Sequence, residues 1–175
     1  MILLRAADRV AVPWKNGGGV TREVATFPPG AGMADFGWRV SIADVAAAGP
    51  FSRFDGVDRV LTVLEGGLRL EIAGDAAATV LGPGDRHSFA GEAAVTGIPI
   101  GGAVRDLNVM VRRGSWSARI EPFRSDHVMG EVRIAIALQS CGAFEPLDAL
   151  LMDSGDELPP GFIGHLVRLV REEGR

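Results

Sequence analysis

The densest group of residue types able to do chemistry lies in one segment near the N-terminus, Pro13–Glu23. Three successive glycines, beginning at Gly17, open backbone conformations that other residues avoid and let a ligand approach the main chain. Lys15, the only lysine of the chain, and Asn16 place a cation and an amide beside the glycine N–H groups. This combination suits a carboxylate or another small anion. The alternative interpretation is a flexible turn with a solvated lysine.

Polar residues also share one face on each of two predicted strands. Arg39 and Ser41 lie on one face of the first strand, and Asp106, Asn108 and Met110 lie on one face of the second. Asp and Asn are poor strand formers, and hydrogen bonding inside a pocket would explain their presence. In a small barrel such a face lines the interior, whereas alternation alone equally allows a solvated outer face.

The elements that must position these residues are predicted to be short β-strands. Apolar residues recur at every second position, and long stretches of helical period are scarce. The 24 glycines and 10 prolines separate the strands with turn signals such as Gly82–Asp85. The pattern predicts an all-β barrel or sandwich. The alternating runs are 38–43, 68–72, 106–112, 132–139 and 165–171.

The chain length of 175 residues suits one domain or two small packed modules. A faint repeat of strand, turn, Pro-x-Asp and strand occurs in both halves. It predicts a first module over residues 1–101 and a second over residues 102–175, packed as one compact unit with a boundary near Gly101 and Gly102.

Composition excludes several classes of partner. The formal net charge of −4 argues against nucleic acid, since phosphate binding needs a basic face. No apolar run approaches the roughly 18 residues that cross a bilayer, and the N-terminus has no signal-peptide pattern. With the single Cys141 no internal disulfide can form. We therefore expect a cytoplasmic protein without a membrane or nucleic-acid partner.

Three blocks of the sequence resemble the signature blocks of the HutD/Ves family of small bacterial bicupins, in the expected order. They read PWKNGGGVTREVA, DFGWRVSIADVAAAGPFSRFDGVDRVLTVLEG and DLNVMVRRG, and lie within residues 13–114. The C-terminal third matches only in pattern. The resemblance implies a cupin-type β-barrel with two packed modules, a link to histidine utilisation for HutD-type members and a stress-linked label for Ves-type members. Homodimers are common among cupins, which makes a homodimer a candidate assembly.

The comparison with cupins also predicts that no metal is bound. Metal cupins carry H-x-H-x(3,4)-E before a V-L-x-G turn, and an alignment on Val63–Gly66 places Arg59 at the glutamate position. Ser52 and Phe54 then fall near the two histidine positions. A guanidinium does not ligate a divalent cation and repels one. We therefore expect no metal and no cofactor.

The histidines and a missing residue type narrow the chemistry further. His87, His127 and His165 have no ligand spacing and are interpreted as structural or surface residues. Sugar-epimerase cupins use a histidine base with a tyrosine acid, and this chain has no tyrosine. Glu23 and Asp106 could act as acid or base if burial raised their pKa values. The alternative is that each pairs with a neighbouring arginine.

Taken with the resemblance, these segments predict a site for a small anionic metabolite. Lys15, Arg39 and Arg59 would supply positive charge, because a guanidinium fork makes two parallel bonds to a carboxylate. A histidine-degradation intermediate is the natural candidate, and the protein would be a ligand-binding regulator rather than an enzyme. A metal-independent isomerase or hydrolase is the alternative, as is a protein-interaction module. No catalytic residue is assigned. The predicted ligand-binding residues are Lys15, Asn16, Gly17, Thr21, Glu23, Arg39, Ser41, Ser52, Arg59, Asp106, Asn108 and Met110.

Overall fold

The computed structural model describes residues 1–123, 132–153 and 155–172, and in these residues the chain is all-β apart from one short 3-10 turn, Ala6–Asp8. The predicted fold class is therefore confirmed. Within the described part, no helix has the length and apolar character needed to cross a membrane. The strands are β1 (Ile2–Leu4), β2 (Ala11–Pro13), β3 (Gly19–Phe27), β4 (Trp38–Val45), β5 (Gly49–Pro50), β6 (Val57–Ile72), β7 (Thr79–Leu81), β8 (Arg86–Ala90), β9 (Val95–Arg112), β10 (Trp116–Pro122), β11 (Val132–Ala137), β12 (Ala149–Met152) and β13 (Gly164–Arg171).

The chain divides into two compact units, and the division differs from the predicted boundary. One unit is Val10–Arg113, and the other combines Met1–Arg9 with Gly114–Arg175. Gly101 and Gly102 have positive φ angles of 75° and 144°, but they lie inside β9 rather than between modules. The register of β9 with β6 shifts at these glycines, between the pairs Glu65–Arg105 and Gly67–Ile100, and both long strands continue past this bulge.

The larger unit is an antiparallel sheet of eight strands in the order β2-β3-β4-β9-β6-β7, with β5 paired to β9 and β8 paired to β6. Among the described residues, no pairing joins the terminal strands β2 and β7. Within this described part the sheet is open and does not close into the predicted barrel. The long strands β6 and β9 form its centre, and β4 pairs with the edge of β9 that faces away from β6.

Alternating apolar residues build the core of this sheet. Leu61 and Val63 are almost fully buried on the same face as Arg59, and their burial stabilises the unit by about 1.5–3 kcal/mol for each side chain. Trp14 and Phe89 pack against the edge of this core. The buried cluster comprises Ala43, Val45, Phe51, Leu61, Val63, Leu68, Leu70, Leu81, Val95 and Val104.

The smaller unit is a five-stranded antiparallel sheet in the order β1-β12-β11-β13-β10. The N-terminal segment belongs to this unit because β1 pairs with β12. Asp148, which is 2% exposed, fixes that segment by accepting hydrogen bonds from Arg5 Nη1 at 2.7 Å and from the Ala6 amide at 2.7 Å. Phe144 and Phe162 pack edge to face in its core.

Candidate functional site

Three neighbouring strands bring two arginines to one face of the eight-stranded sheet. Met110 on β9 pairs with Arg39 of β4 on one side and with Arg59 of β6 on the other. Paired residues project to the same side of a sheet, and adjacent strands lie about 4.8 Å apart. The Cα atoms of the two arginines are therefore about 10 Å apart. We call this side of the sheet the Arg59 face.

The row next to the arginines crosses five strands. Ser41 pairs with Glu23 of β3 and with Asn108 of β9, while Leu61 of β6 pairs with Asn108 and with His87 of β8. All five side chains therefore belong to the Arg59 face. Ser41 is almost fully buried, whereas Glu23 lies at the exposed edge.

A third row contains the acidic group of the face. Asp106 pairs with Ala43 on β4 and with Val63 on β6, and Ala43 pairs with Thr21 on β3. Asp106 is only 2% exposed. The predicted polar face of β9 is therefore directed into the packed side of the sheet and not to solvent.

Arg59 is buried among aromatic rings. The residue is 6% exposed, and its guanidinium carbon lies 5.5 Å from the ring centre of Phe51, 5.9 Å from Phe54 and 4.9 Å from Phe89. Such contacts with ring faces attract a cation. Arg59 Nη1 donates to the backbone carbonyl of Ser52 at 3.2 Å, whereas Arg59 Nε is buried and has no hydrogen-bond partner among the described residues. The guanidinium thus keeps donor capacity that the protein does not use.

Burial and mutual charge control the ionisation of this face. Burial lowers the pKa of Arg59 to about 10. The Asp106 carboxylate acts against this lowering, and the positive charge of Arg39 lowers the pKa further. Burial raises the pKa of Asp106 to about 7, although the Arg59 charge works in the opposite direction. At neutral pH Arg59 is therefore cationic, and Asp106 is near the midpoint of its titration.

Arg39 is the more accessible of the two arginines. Its Nε donates to Glu23 Oε2 at 2.8 Å, and its Nη1 donates weakly to Ser41 Oγ at 3.4 Å. The side chains of Arg39 and Glu23 are 13% and 42% exposed. At the open edge of the Arg59 face, the Arg39 guanidinium is therefore already paired with the Glu23 carboxylate.

The glycine segment has a structural role that the anion hypothesis did not foresee. The Gly17 amide donates to the Trp14 carbonyl at 3.0 Å, and the Gly18 amide donates to Asn16 Oδ1 at 3.0 Å. A Cβ atom at Gly19 would lie 2.5 Å from the Asp44 carbonyl oxygen. The amides predicted to cradle an anion are thus bonded within the loop, and the turn interpretation fits this segment.

Trp14 connects the loop to the aromatic surroundings of Arg59. Its Nε1 donates to Thr21 Oγ1 at 2.7 Å, and its ring packs edge to face on Phe51 with centroids 6.0 Å apart. Phe51 in turn contacts the Arg59 guanidinium. Lys15, next to Trp14, is exposed and makes no hydrogen bond or ion pair with any described residue.

The predicted residues separate into two groups. Eight lie on the Arg59 face, namely Thr21, Glu23, Arg39, Ser41, Arg59, Asp106, Asn108 and Met110. Lys15, Asn16 and Gly17 lie in the loop, and Ser52 contributes its carbonyl rather than its hydroxyl. The sequence did not predict that His87 and the rings of Phe51, Phe54 and Phe89 belong to this site. The alternation of His87 with Phe89 in β8 was the available signal, because it places both side chains on one face of that strand.

The motif alignment predicted Arg59 at the position of a ligating glutamate, and the structure surrounds this guanidinium with three aromatic rings. Within residues 1–123, 132–153 and 155–172, no group of three His, Cys, Asp or Glu side chains could hold a metal ion. His127 lies outside the described residues. His87 shares its face with a guanidinium, an arrangement that does not suit a divalent cation.

A groove of about 360 Å³ lies elsewhere on the same unit. Its walls include Pro50, Arg53, Glu71 and Thr96, and it shares only Phe51 with the surroundings of Arg59. It contains none of the twelve predicted residues. We take the Arg59 face as the candidate site because it combines buried charge with unused hydrogen-bonding groups.

Comparisons with known proteins assign the family. Residues 6–144 match the HutD family model. Protein Ves of Citrobacter koseri is 36% identical over 164 residues, which are 93% of this chain and 84% of that protein. An uncharacterised 21.2 kDa protein in the hutC 3′ region of Pseudomonas putida is 45% identical over 122 residues, 69% of this chain. The match spans 63% of that relative, less than two thirds of its length.

Solved structures give the same assignment. HutD from Pseudomonas fluorescens SBW25 superposes with a TM-score of 0.84 at 29% identity, over 98% of this chain and 99% of that one. A conserved protein of unknown function from Pseudomonas aeruginosa PAO1 has a TM-score of 0.78 at 32% identity, over 98% and 93% of the two chains. The family model and the relatives together cover the strands that carry Arg39, Arg59 and Asp106. The chain therefore belongs to the HutD family.

Proposed function

We propose that the Arg59 face binds a small carboxylate metabolite and that the protein is a non-catalytic regulator of histidine utilisation. The observation that carries the binding proposal is the state of Arg59. This side chain is 6% exposed, and its Nε has no hydrogen-bond partner in the part of the chain that the structure describes. An incompletely paired buried charge costs several kcal/mol. A ligand carboxylate would offset that cost.

A second positive charge on the same face supports an anionic ligand. Arg39 and Arg59 flank Met110 from opposite sides, and the Arg39 charge lowers the pKa of Arg59. Two guanidinium groups that repel each other are stabilised by an anion between them. The planar fork of each arginine can form two parallel bonds to a carboxylate. Ser41 and Asn108 lie in the adjacent row and can hydrogen-bond the rest of the ligand.

The pathway part of the proposal comes from the family. Relatives are named HutD or are described by their position in the hutC 3′ region. Formylglutamate and formiminoglutamate are intermediates of histidine degradation, and each has two carboxylates. A regulator that senses such an intermediate needs a charged, selective pocket and no catalytic group.

Isothermal titration calorimetry of the full chain with N-formyl-L-glutamate and N-formimino-L-glutamate tests the proposal. We expect saturable binding to at least one compound, weakened by about 100-fold in Arg59→Met because a charge-assisted bidentate contact is lost. Methionine keeps an unbranched apolar side chain among the aromatic rings. Arg69→Met is the matched control, because Arg69 is exposed and pairs with Glu71 outside the site.

Two outcomes would contradict the binding proposal. One is the absence of binding to either compound by the unmodified protein. The other is an Arg59→Met variant that is folded by circular dichroism and binds as tightly as the Arg69→Met control. Arg39→Met provides a second measurement at the more exposed arginine, and it should also weaken binding.

Asp106 favours a second candidate function, a metal-independent isomerase or hydrolase that acts on the same compounds. Burial raises the pKa of Asp106 to about 7, and general acids and bases work best when their pKa lies near the operating pH. Proton NMR of each compound with the protein would reveal turnover. Turnover lost in Asp106→Asn and retained in Arg69→Met would identify an enzyme, whereas no turnover would remove this candidate.

A further inference from the structure

We infer that the Arg59 face takes up its carboxylate ligand together with one proton, and that Asp106 is the residue that holds this proton. The inference rests on the proposed carboxylate-binding function and adds a regulation of that site by pH. Asp106 shares the face with Arg59, because its partner on β6, Val63, lies an even number of residues from Arg59 along the same strand. The proton itself comes from the solvent.

The surroundings of the Asp106 carboxyl favour its neutral form. The residue is 2% exposed, and its side chain makes no hydrogen bond or ion pair with the part of the chain that the structure describes. Its partners on the neighbouring strands, Ala43 and Val63, are apolar. A carboxylate is costly in such an environment unless a positive charge lies near it. For Asp106 the nearby charge that favours ionisation is Arg59.

A ligand carboxylate would compete with Asp106 for this positive charge. The Asp106 charge works to raise the pKa of Arg59, and the Arg59 charge works to lower the pKa of Asp106. A carboxylate bound to Arg59 neutralises the guanidinium and places a second negative charge near Asp106. Two carboxyl groups that share a site do not both ionise readily. Asp106 is therefore expected to take up a proton when the ligand binds.

The neighbouring strands contribute few other charges to this face. Arg39 of β4 and Glu23 of β3 form an ion pair at 2.8 Å, so their charges compensate each other. His87 of β8 is a competing proton carrier, because histidine side chains as a class titrate near neutral pH. The strands β2, β5 and β7 contain no titratable side chain. An experiment therefore has to separate Asp106 from His87.

One further charge acts on Asp106 from β4. Asp44 follows Ala43 in this strand, and its negative charge also raises the pKa of Asp106. Burial works to raise the pKa of Asp44 itself, but hydrogen bonds from Arg105 and Arg22 lower it overall. Asp44 therefore stays ionised around neutral pH and exchanges no proton when a ligand binds.

The size of the pH effect follows from the ionised fraction of Asp106. Burial raises its pKa to about 7, so about nine tenths of the molecules have an ionised Asp106 at pH 8. Binding must supply a proton to this fraction, and the affinity should therefore fall about 10-fold from pH 6 to pH 8. Arg59 stays cationic over this range, because burial lowers its pKa only to about 10.

Isothermal titration calorimetry of the full chain with N-formyl-L-glutamate at pH 8, in HEPES and in Tris, tests the inference. The buffers differ in their enthalpy of ionisation, so the difference between the two binding enthalpies gives the number of protons taken up. We expect about 0.9 proton per ligand for the unmodified protein and none for Asp106→Asn. If that variant does not fold, Asp106→Ser replaces it. His87→Gln and Asp75→Asn, a matched change at an exposed acid outside the site, should keep the uptake.

The outcomes separate this inference from the proposed function. If the unmodified protein binds without proton uptake, and Arg59→Met still weakens binding, the inference is overturned and the proposed function stands. Uptake that persists in Asp106→Asn would assign the proton to another group and would also overturn the inference. If the unmodified protein binds at neither pH 6 nor pH 8, the proposed function fails and the inference fails with it. Proton uptake that disappears in Asp106→Asn and persists in His87→Gln supports both.

Discussion

The buried carboxylate of Asp106 should make the stability of the protein depend on pH in an unusual direction. Burial raises the pKa of Asp106 from 3.8 to about 7 in the folded chain. Between these values the folded protein holds a proton that the unfolded chain has lost. Stability therefore falls as pH rises through this window, because the unfolded state binds fewer protons. Asp106→Asn is neutral at every pH and removes this dependence.

The pKa values fix the size of the effect. A tenfold difference in proton affinity corresponds to about 1.4 kcal/mol. A rise from 3.8 to about 7 thus amounts to about 4 kcal/mol over the whole window. Between pH 5 and pH 7 the free energy of unfolding should fall by about 2–3 kcal/mol relative to Asp106→Asn.

Urea denaturation followed by circular dichroism at pH 5, 6, 7 and 8 measures this difference. Asp106→Asn serves as the reference for the unmodified protein, because all other titrating groups are common to both proteins and their contributions cancel. We expect the two stability curves to diverge as pH rises, with Asp106→Asn the more stable protein above pH 7. Parallel curves from pH 5 to pH 8 would mean that the Asp106 carboxyl ionises as easily in the folded protein as in the unfolded chain.

Three further variants test Glu23 at the open edge of the Arg59 face, Gly19 in the loop and Asp148 in the smaller unit. Glu23→Gln frees Arg39 for a ligand and should tighten carboxylate binding by up to about fivefold, since exposed ion pairs contribute about 0.2–1 kcal/mol; weaker binding by calorimetry would mean that Glu23 contacts the ligand. Gly19→Ala should lower the free energy of unfolding by about 1–3 kcal/mol, because its Cβ would lie 2.5 Å from the Asp44 carbonyl oxygen; an unchanged urea midpoint would contradict that packing. Asp148→Ala leaves two backbone donors unpaired and should cost about 3 kcal/mol in the same assay, and a loss below about 0.5 kcal/mol would contradict its anchoring role.

The strand alternation predicted the fold class but not how the chain divides. Period-two patterns identified the main strands because each has one packed face. Gly101 and Gly102 suggested a boundary, since adjacent glycines often end a strand, yet they lie inside β9 at a shift of its register with β6. The pairing of Met1–Arg9 with the C-terminal unit depends on contacts across about 140 residues, such as the bond from Arg5 to Asp148. Local sequence carries no signal for such a contact.

The candidate site was predictable where residues share a strand face. Alternation placed Arg39 with Ser41 and Asp106 with Asn108, and only the register between strands decided that both pairs share the packed side. The loop could not be predicted in this way, because the bonding of its amides depends on the position of the Asn16 side chain. His87 was missed because its relation to the site comes from pairing with β6, and not from any ligand spacing.

NMR of the arginine Nε–H groups shows whether the ligand binds at Arg59. In a titration with N-formyl-L-glutamate, the Arg59 resonance, assigned from its absence in Arg59→Met, should shift saturably as its unused donor gains a carboxylate partner. The exposed Arg69 resonance should not move. If the Arg59 resonance stays fixed while the ligand saturates the protein, the ligand binds elsewhere and the proposed site is wrong.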